Sequence, residues 1–200
     1  NHHFFLIYIT VVTIIYLHNR DFKVFLTNIK LLLAIVLIFS GFQKLLSPTF
    51  ISGDFYYYMI NTGSFFKPIL YFNQDMNDII SNNKSLISQL NRSDPNDLKF
   101  VTLQNVYPNM DFISRSFAWA SIISEFLAAI VILFRPKHIL THILFIMVII
   151  GIFLTRLESG FLALLAISGI WLTDNYKIRA IYLALTILFF SLIITKIGFY

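Results

Sequence analysis

The 200-residue chain contains only two glutamates, Glu125 and Glu158, and neither sits where a solubilising carboxylate would. Glu125 lies in the middle of the apolar run Phe117–Phe134. The eight aspartates, by contrast, fall in polar connections or at helix ends. A charge at the centre of a bilayer costs about 2.5 kcal/mol or more, so such a group is expected to face other helices or a cavity, with a partner. Ser114, Ala118, Ser121, Glu125 and Ala128 recur at spacings of four and three, which gives this helix one face of small and polar side chains. Small residues allow helices to approach closely. Two readings of Glu125 stay open: a proton-handling or ligand-binding carboxylate, or a hydrogen-bonded side chain that fixes helix packing.

Lys44 closes another apolar helix, in Ser40-Gly41-Phe42-Gln43-Lys44-Leu45. Ser40, Gly41 and Lys44 share a face, and Gly41 leaves room for close approach. A Lys at a helix end commonly snorkels to the membrane interface. Desolvated instead, it would act as a base. Arg156 and Glu158 fall on the same expected side as Lys44, where they would line a pocket mouth or form a structural pair. Their i, i+2 spacing does not set them side by side on a helix. The candidate set is therefore Lys44 and Glu125 for proton chemistry, with Ser40, Gly41, Arg156 and Glu158 around a ligand pocket. His142, one turn into a later helix, reads as a packing residue. His2 and His3 lack a nearby third ligand, so no metal site is expected. The chain has no Cys, no Gly-rich phosphate loop, no nucleophile elbow and no HExxH motif.

The elements that must position these residues are membrane helices. Hydrophobic residues make up 58% of the chain and charged residues 12%, about half the charge of an ordinary soluble domain. Six apolar segments are long enough, or nearly so, to cross a bilayer: about Phe4–Leu17, Val24–Leu46, Ser114–Phe134, Ile139–Thr155, Leu157–Thr173 and Ile178–Thr195. The chain opens at Asn1 and runs at once into apolar sequence, which points to a fragment or a processed product. No basic region precedes Phe4–Leu17 and no small-residue cleavage site follows, so it reads as a helix rather than a signal peptide. The expected fold is an all-α polytopic bundle of about six spanning helices, a single transmembrane domain over 1–200.

One long polar region, 47–113, interrupts the helices. Its first half is rich in rings (Phe50, Phe55, Tyr56, Tyr57, Tyr58, Phe65, Phe66, Tyr71, Phe72) of the kind that favour the headgroup level. Farther on, Met76, Ile79, Ile80, Ile87 and Leu90 fit one face of an amphipathic helix. With six helices, three short connections share a side and carry Arg20, Lys23, Arg135, Lys137, Lys177 and Arg179. Short basic loops stay cytoplasmic, which places 47–113 outside the cytoplasm as an interfacial or extracytoplasmic loop. The net charge of +5 is scattered, without a dense basic block, so nucleic acid is not an expected partner.

The stretch Ile38–Gly53, with its Gly41-Phe42-Gln43-Lys44-Leu45 core followed by Phe50-Ile51-Ser52-Gly53, resembles a segment of the vitamin K-dependent gamma-carboxylase-like (HTTM) family. A helix ending in Gly-x-x-Lys is also similar to the wider DoxX-like membrane proteins. Ser124-Glu125-Phe126-Leu127, Arg135-Pro136-Lys137 and Gly160-Phe161-Leu162 look like the later helices of those families. The resemblance spans roughly Ile29–Asp174. It implies a lipid-embedded pocket open to the extracytoplasmic side, a quinone-like redox ligand, and Lys44 as the base, with Glu125 as a second proton-handling group. A quinone-linked carboxylase-like or oxidoreductase activity would follow. The carboxylase itself has a large lumenal domain that holds its protein substrate, and these 200 residues hold no counterpart. Two other readings stand beside this one: an accessory membrane subunit that packs against a partner protein, and a small proton-coupled transporter with Glu125 as the coupling carboxylate. Transporters usually carry Gly- or Pro-interrupted helices in paired positions, and no such pair is seen here.

Overall fold

A computed structural model of the chain describes residues 2–65, 74–94, 96, 100–155 and 158–195. Among these residues all regular structure is helical. In chain order the helices are α1 (His2–Asn19), α2 (Phe22–Leu45), α3 (Pro48–Ile51), α4 (Asp54–Asn61), α5 (Gln74–Arg92), α6 (Met110–Phe134), α7 (Ile139–Thr155), α8 (Ser159–Leu172) and α9 (Tyr176–Thr195). Three of them, α2, α6 and α9, are long and apolar enough to cross a membrane, and α1, α7 and α8 are shorter apolar helices. The residues divide into two compact units, Asn1–Lys44 with Ser121–Tyr200, and Leu45–Ala120.

In the first unit the shortest apolar helix is the most enclosed. α8 has 14 residues, about 21 Å at helical rise, against a hydrocarbon core of about 30 Å. It is apolar all round, as a helix with neighbours on every side must be. Ser159, Leu162, Ala163, Leu165, Ala166, Ser168, Gly169 and Leu172 are all buried. Phe161 meets Phe5 of α1 edge-on at 5.8 Å between ring centroids. Trp171 meets Phe25 of α2 at 5.0 Å. Gly169 lets the Tyr182 ring of α9 lie against the α8 backbone: a Cβ there would sit 2.5 Å from the ring. Lipid-ready side chains cover the outside of the unit, with Phe4, Ile14, Ile187 and Ile194 each at least 60% exposed.

The short basic connections gather at one end of this unit. Phe25, one turn into α2, packs on Trp171 in the last turn of α8. Lys137, between α6 and α7, pairs with Asp174, between α8 and α9, at 2.6 Å. That hydrogen bond holds the exposed Asp174 carboxyl below its ordinary range, and the positive charges of Lys137 and Arg179 act the same way.

The second unit is built differently. Its short helices cluster rings against one another: Tyr56 lies 5.3 Å from Phe50, 5.4 Å from Phe65 and 6.0 Å from Phe117. The expectation for Phe66, Tyr71 and Phe72 lies outside the described residues. α5 is helical as the sequence predicts, with Ile80 buried and Met76 and Ile79 packed beside it, but the expected apolar face stops short: Ile87 is half-buried and Leu90 is exposed. Gly53, at φ +89°, brings the chain so close to α6 that a Cβ would lie 2.7 Å from the Arg115 amide nitrogen. α6 begins at Met110, four residues before the apolar run, with the Ile113 amide donating to Asn109 O at 3.1 Å.

Candidate functional site

The buried face of α6 is the small-and-polar stripe: Ser114, Ala118, Ile122, Glu125, Ala128 and Ala129 are all enclosed. Glu125 is 3% exposed. Its partner is Lys44, from the last turn of α2, whose Nζ lies 2.6 Å from Glu125 Oε1. The same Nζ donates to Ser121 Oγ at 2.6 Å. Ser121 and Glu125 are one helical turn apart, so a single ammonium group bridges both. The Lys44 side chain keeps 21% of its exposure, so its head is the more accessible member of the pair. Glu125 Oε2 is buried and has no hydrogen-bond partner among the described residues. The two candidate proton-handling residues, 81 positions apart in sequence, are thus in direct contact.

The other candidates are placed less uniformly. Gly41 is buried, and the room it leaves is filled by the Phe126 ring, which a Cβ would meet at 2.8 Å. Phe42 holds that ring from the side, edge-on at 5.3 Å. Ser40 is half-buried on the adjoining position. Glu158 caps the start of α8, its carbonyl accepting the Leu162 amide at 3.1 Å. Arg156 lies outside the described residues. A surface depression of about 570 Å³ is lined by Arg135, Pro136, Lys137 and His138. That is the far end of α6, about 15 Å along the helix from Glu125.

Sequence reasoning named Lys44 and Glu125 but not their contact, and it missed Ser121 as the third member. The i, i+4 spacing of Ser121 and Glu125 was the available signal for that hydroxyl. His142 is a buried packing residue: the Tyr182 hydroxyl lies 3.2 Å from its Nδ1 and 3.4 Å from its carbonyl oxygen. Its Nε2 is enclosed without a partner among the described residues. Among those residues no group of three or more His, Asp or Glu side chains could hold a metal ion.

Chemically, the arrangement offers a cationic donor with an exposed edge, a hydroxyl, and a buried carboxylate with one free oxygen. Such a set can donate to an oxygen of an apolar ligand and pass a proton between Lys44 and Glu125. No protein-family model, no curated protein and no solved structure matches the chain.

Proposed function

We propose that this is a multi-pass membrane protein whose six apolar helices cross the bilayer, and that Lys44, Ser121 and Glu125 form a proton-handling site for an apolar redox ligand of the quinone class. The observation that carries the reading is the ion pair itself, a 2.6 Å contact with a carboxylate that is 3% exposed. An ionisable residue inside apolar helices is a functional-site candidate by default. The resemblance of the Lys44 segment to the gamma-carboxylase-like and DoxX-like families points the same way. The donor set fits a quinone's oxygens: Lys44 Nζ and Ser121 Oγ would hold one, and Glu125 would take or return a proton through Lys44. A quinone would supply the two-electron chemistry that these side chains lack.

The sidedness of the reading puts 47–113 outside the cytoplasm. Its support is the gathering of the Lys137 and Asp174 turns, and of the α1–α2 turn, at one end of the first unit. The chain has no native Cys, so a single Cys placed at exposed Asn82 reports the side directly. It is expected to react with an impermeant thiol reagent in intact cells. Reaction only after permeabilisation would reverse the topology.

A second reading rests on Phe126. Its ring fills the space at Gly41, which favours a pair that clamps α2 to α6 in an accessory subunit. Turnover of a reduced naphthoquinone by purified protein separates the two. A clamp needs only a cation, so Lys44→Arg would leave any activity intact. A base must release its proton, which Arg does not do. The proposed function predicts that Lys44→Arg folds normally and loses turnover. Equal turnover would remove Lys44 as the base, and no turnover by the wild type would leave the accessory role.

A further inference from the structure

The turn between α6 and α7 carries chemistry that the Lys44–Glu125 pair does not use. Arg135, Pro136, Lys137 and His138 line the depression of about 570 Å³ there. The turn is pinned from inside: Arg135 O accepts from Thr141 Oγ1 at 2.7 Å and from the His138 amide at 3.1 Å. Its cations differ in availability. Lys137 is held by Asp174, whereas the Arg135 guanidinium makes no ion pair among the described residues. His138 Nδ1 accepts the Leu140 amide at 3.3 Å, so the neutral ring carries its proton on Nε2, as a donor. At the neighbouring basic turn Arg179 Nη2 is committed to Thr173 O at 2.7 Å.

Directly flanking these donors are three uncovered apolar side chains: Phe134 is 79% exposed, Leu140 64% and Ile139 50%. A rigid guanidinium beside a second N–H donor suits the oxygens of a phosphate. Free phosphate would use only that polar half, whereas a phospholipid would use both halves. We propose that the α6–α7 turn binds the phosphate of an anionic membrane phospholipid, with Arg135 and His138 as donors and the acyl chains lying along Phe134, Ile139 and Leu140. The proposal rests on the membrane reading of the apolar helices. It also fits the end of the bundle that carries the basic turns, since basic pockets on the cytoplasmic side of helix bundles take anionic headgroups.

The test titrates purified protein in neutral detergent with dioleoyl phosphatidylglycerol, dioleoyl phosphatidylcholine and inorganic phosphate. Native mass spectrometry counts bound lipid, and melting temperature is read alongside. Phosphatidylglycerol is expected to be retained about fivefold or more over phosphatidylcholine, as charge-assisted contacts require. Added salt should shrink that ratio. Arg135→Gln with His138→Gln should bring it near one, and Arg135→Gln alone should lower it. Arg92→Gln on exposed α5 should leave it unchanged. Equal retention of the two lipids, or a preference that survives the double substitution, would overturn the proposal. Inorganic phosphate protecting as well as phosphatidylglycerol would reduce the turn to a bare anion site. Extraction of the protein from membranes by alkaline carbonate would sink the membrane reading itself, an outcome separate from lipid selectivity.

Discussion

The two compact units differ in the chemistry of their main buried polar cluster. In Leu45–Ala120 neutral amides do the work. Asn83, fully buried on the apolar face of α5, donates to Asn61 O and Gln104 O and accepts the Gln104 amide, each at 2.9 Å. Asn61 Oδ1 takes the Val106 amide at 2.9 Å. Side chains thereby pair the backbone groups of the irregular segment at 104–106. In the apolar helices the one buried carboxylate, Glu125, meets an ammonium that also donates to the Ser121 hydroxyl, and its Oε2 has no hydrogen-bond partner among the described residues. The amide network is nearly satisfied, with Asn61 Nδ2 lacking a partner among the described residues, and such networks rigidify. Under the proposed function, the charge pair would use its spare hydrogen-bonding capacity to exchange protons. On that proposal, the difference separates a unit that supplies shape from one that would hold a site.

The largest effect should come from breaking the charge pair. Glu125→Leu takes the carboxylate away from the Lys44 ammonium; loss of one partner of a fully buried pair costs about 3 kcal/mol or more, and the 21% exposure of the Lys44 side chain lowers that figure. Glu125→Gln keeps a hydrogen-bond acceptor for Lys44 and should melt higher than the Leu variant in detergent. If Leu equals or exceeds Gln, the carboxylate is not engaged as described.

Next comes the amide network. Asn83→Ala strands the Gln104 amide and two carbonyls, a loss of about 2–3 kcal/mol on the usual scale for buried unmade bonds. Hydrogen exchange at the Gln104 amide should speed up while the apolar helices keep their protection. Unchanged exchange would remove Asn83 as the organiser of that unit.

Gly53→Ala ranks third, at about 1–3 kcal/mol, because its positive φ and the Arg115 backbone both exclude a Cβ. A melting temperature equal to wild type would show that the backbone can move apart there.

The smallest effect is at Asp174. Its carboxyl is depressed by Lys137, so the stabilisation it contributes is present above the unfolded pKa. It is lost as pH falls through the folded one, below the ordinary value of 3.8. Lys137→Gln should move the Asp174 titration midpoint, followed by carboxyl NMR, back up toward 3.8, with no resolvable change in melting at neutral pH, because exposed pairs are screened. A midpoint unmoved by the substitution would show that Lys137 is not the cause.

The six apolar helices were legible because each needs only a long apolar run, and their ends fall within a few residues of expectation. The exception is α6, which begins four residues before the expected Ser114, at Met110-Asp111-Phe112-Ile113, where the charge of Asp111 interrupts the apolar run. The buried face of α6 was legible from the spacing of Ser121, Glu125 and Ala128. What it faces was not, because Lys44 is 81 positions away and no local pattern encodes that contact. Gly41 announced a close approach without saying that Phe126 makes it. Asn83 was the least legible residue: an amide among the exposed amides of α5 differs from them only through partners at Asn61 and Gln104.

The central claim, a coupled Lys44–Glu125 pair within the apolar helices, is tested most directly by a double-mutant cycle on melting in detergent. The four proteins are wild type, Lys44→Met, Glu125→Leu and the double variant. Removing both charges abolishes the desolvation cost along with the attraction. The account therefore predicts that the double variant melts well above Glu125→Leu alone, near or above wild type. Losses that simply add, leaving the double variant the least stable of the four, would contradict it.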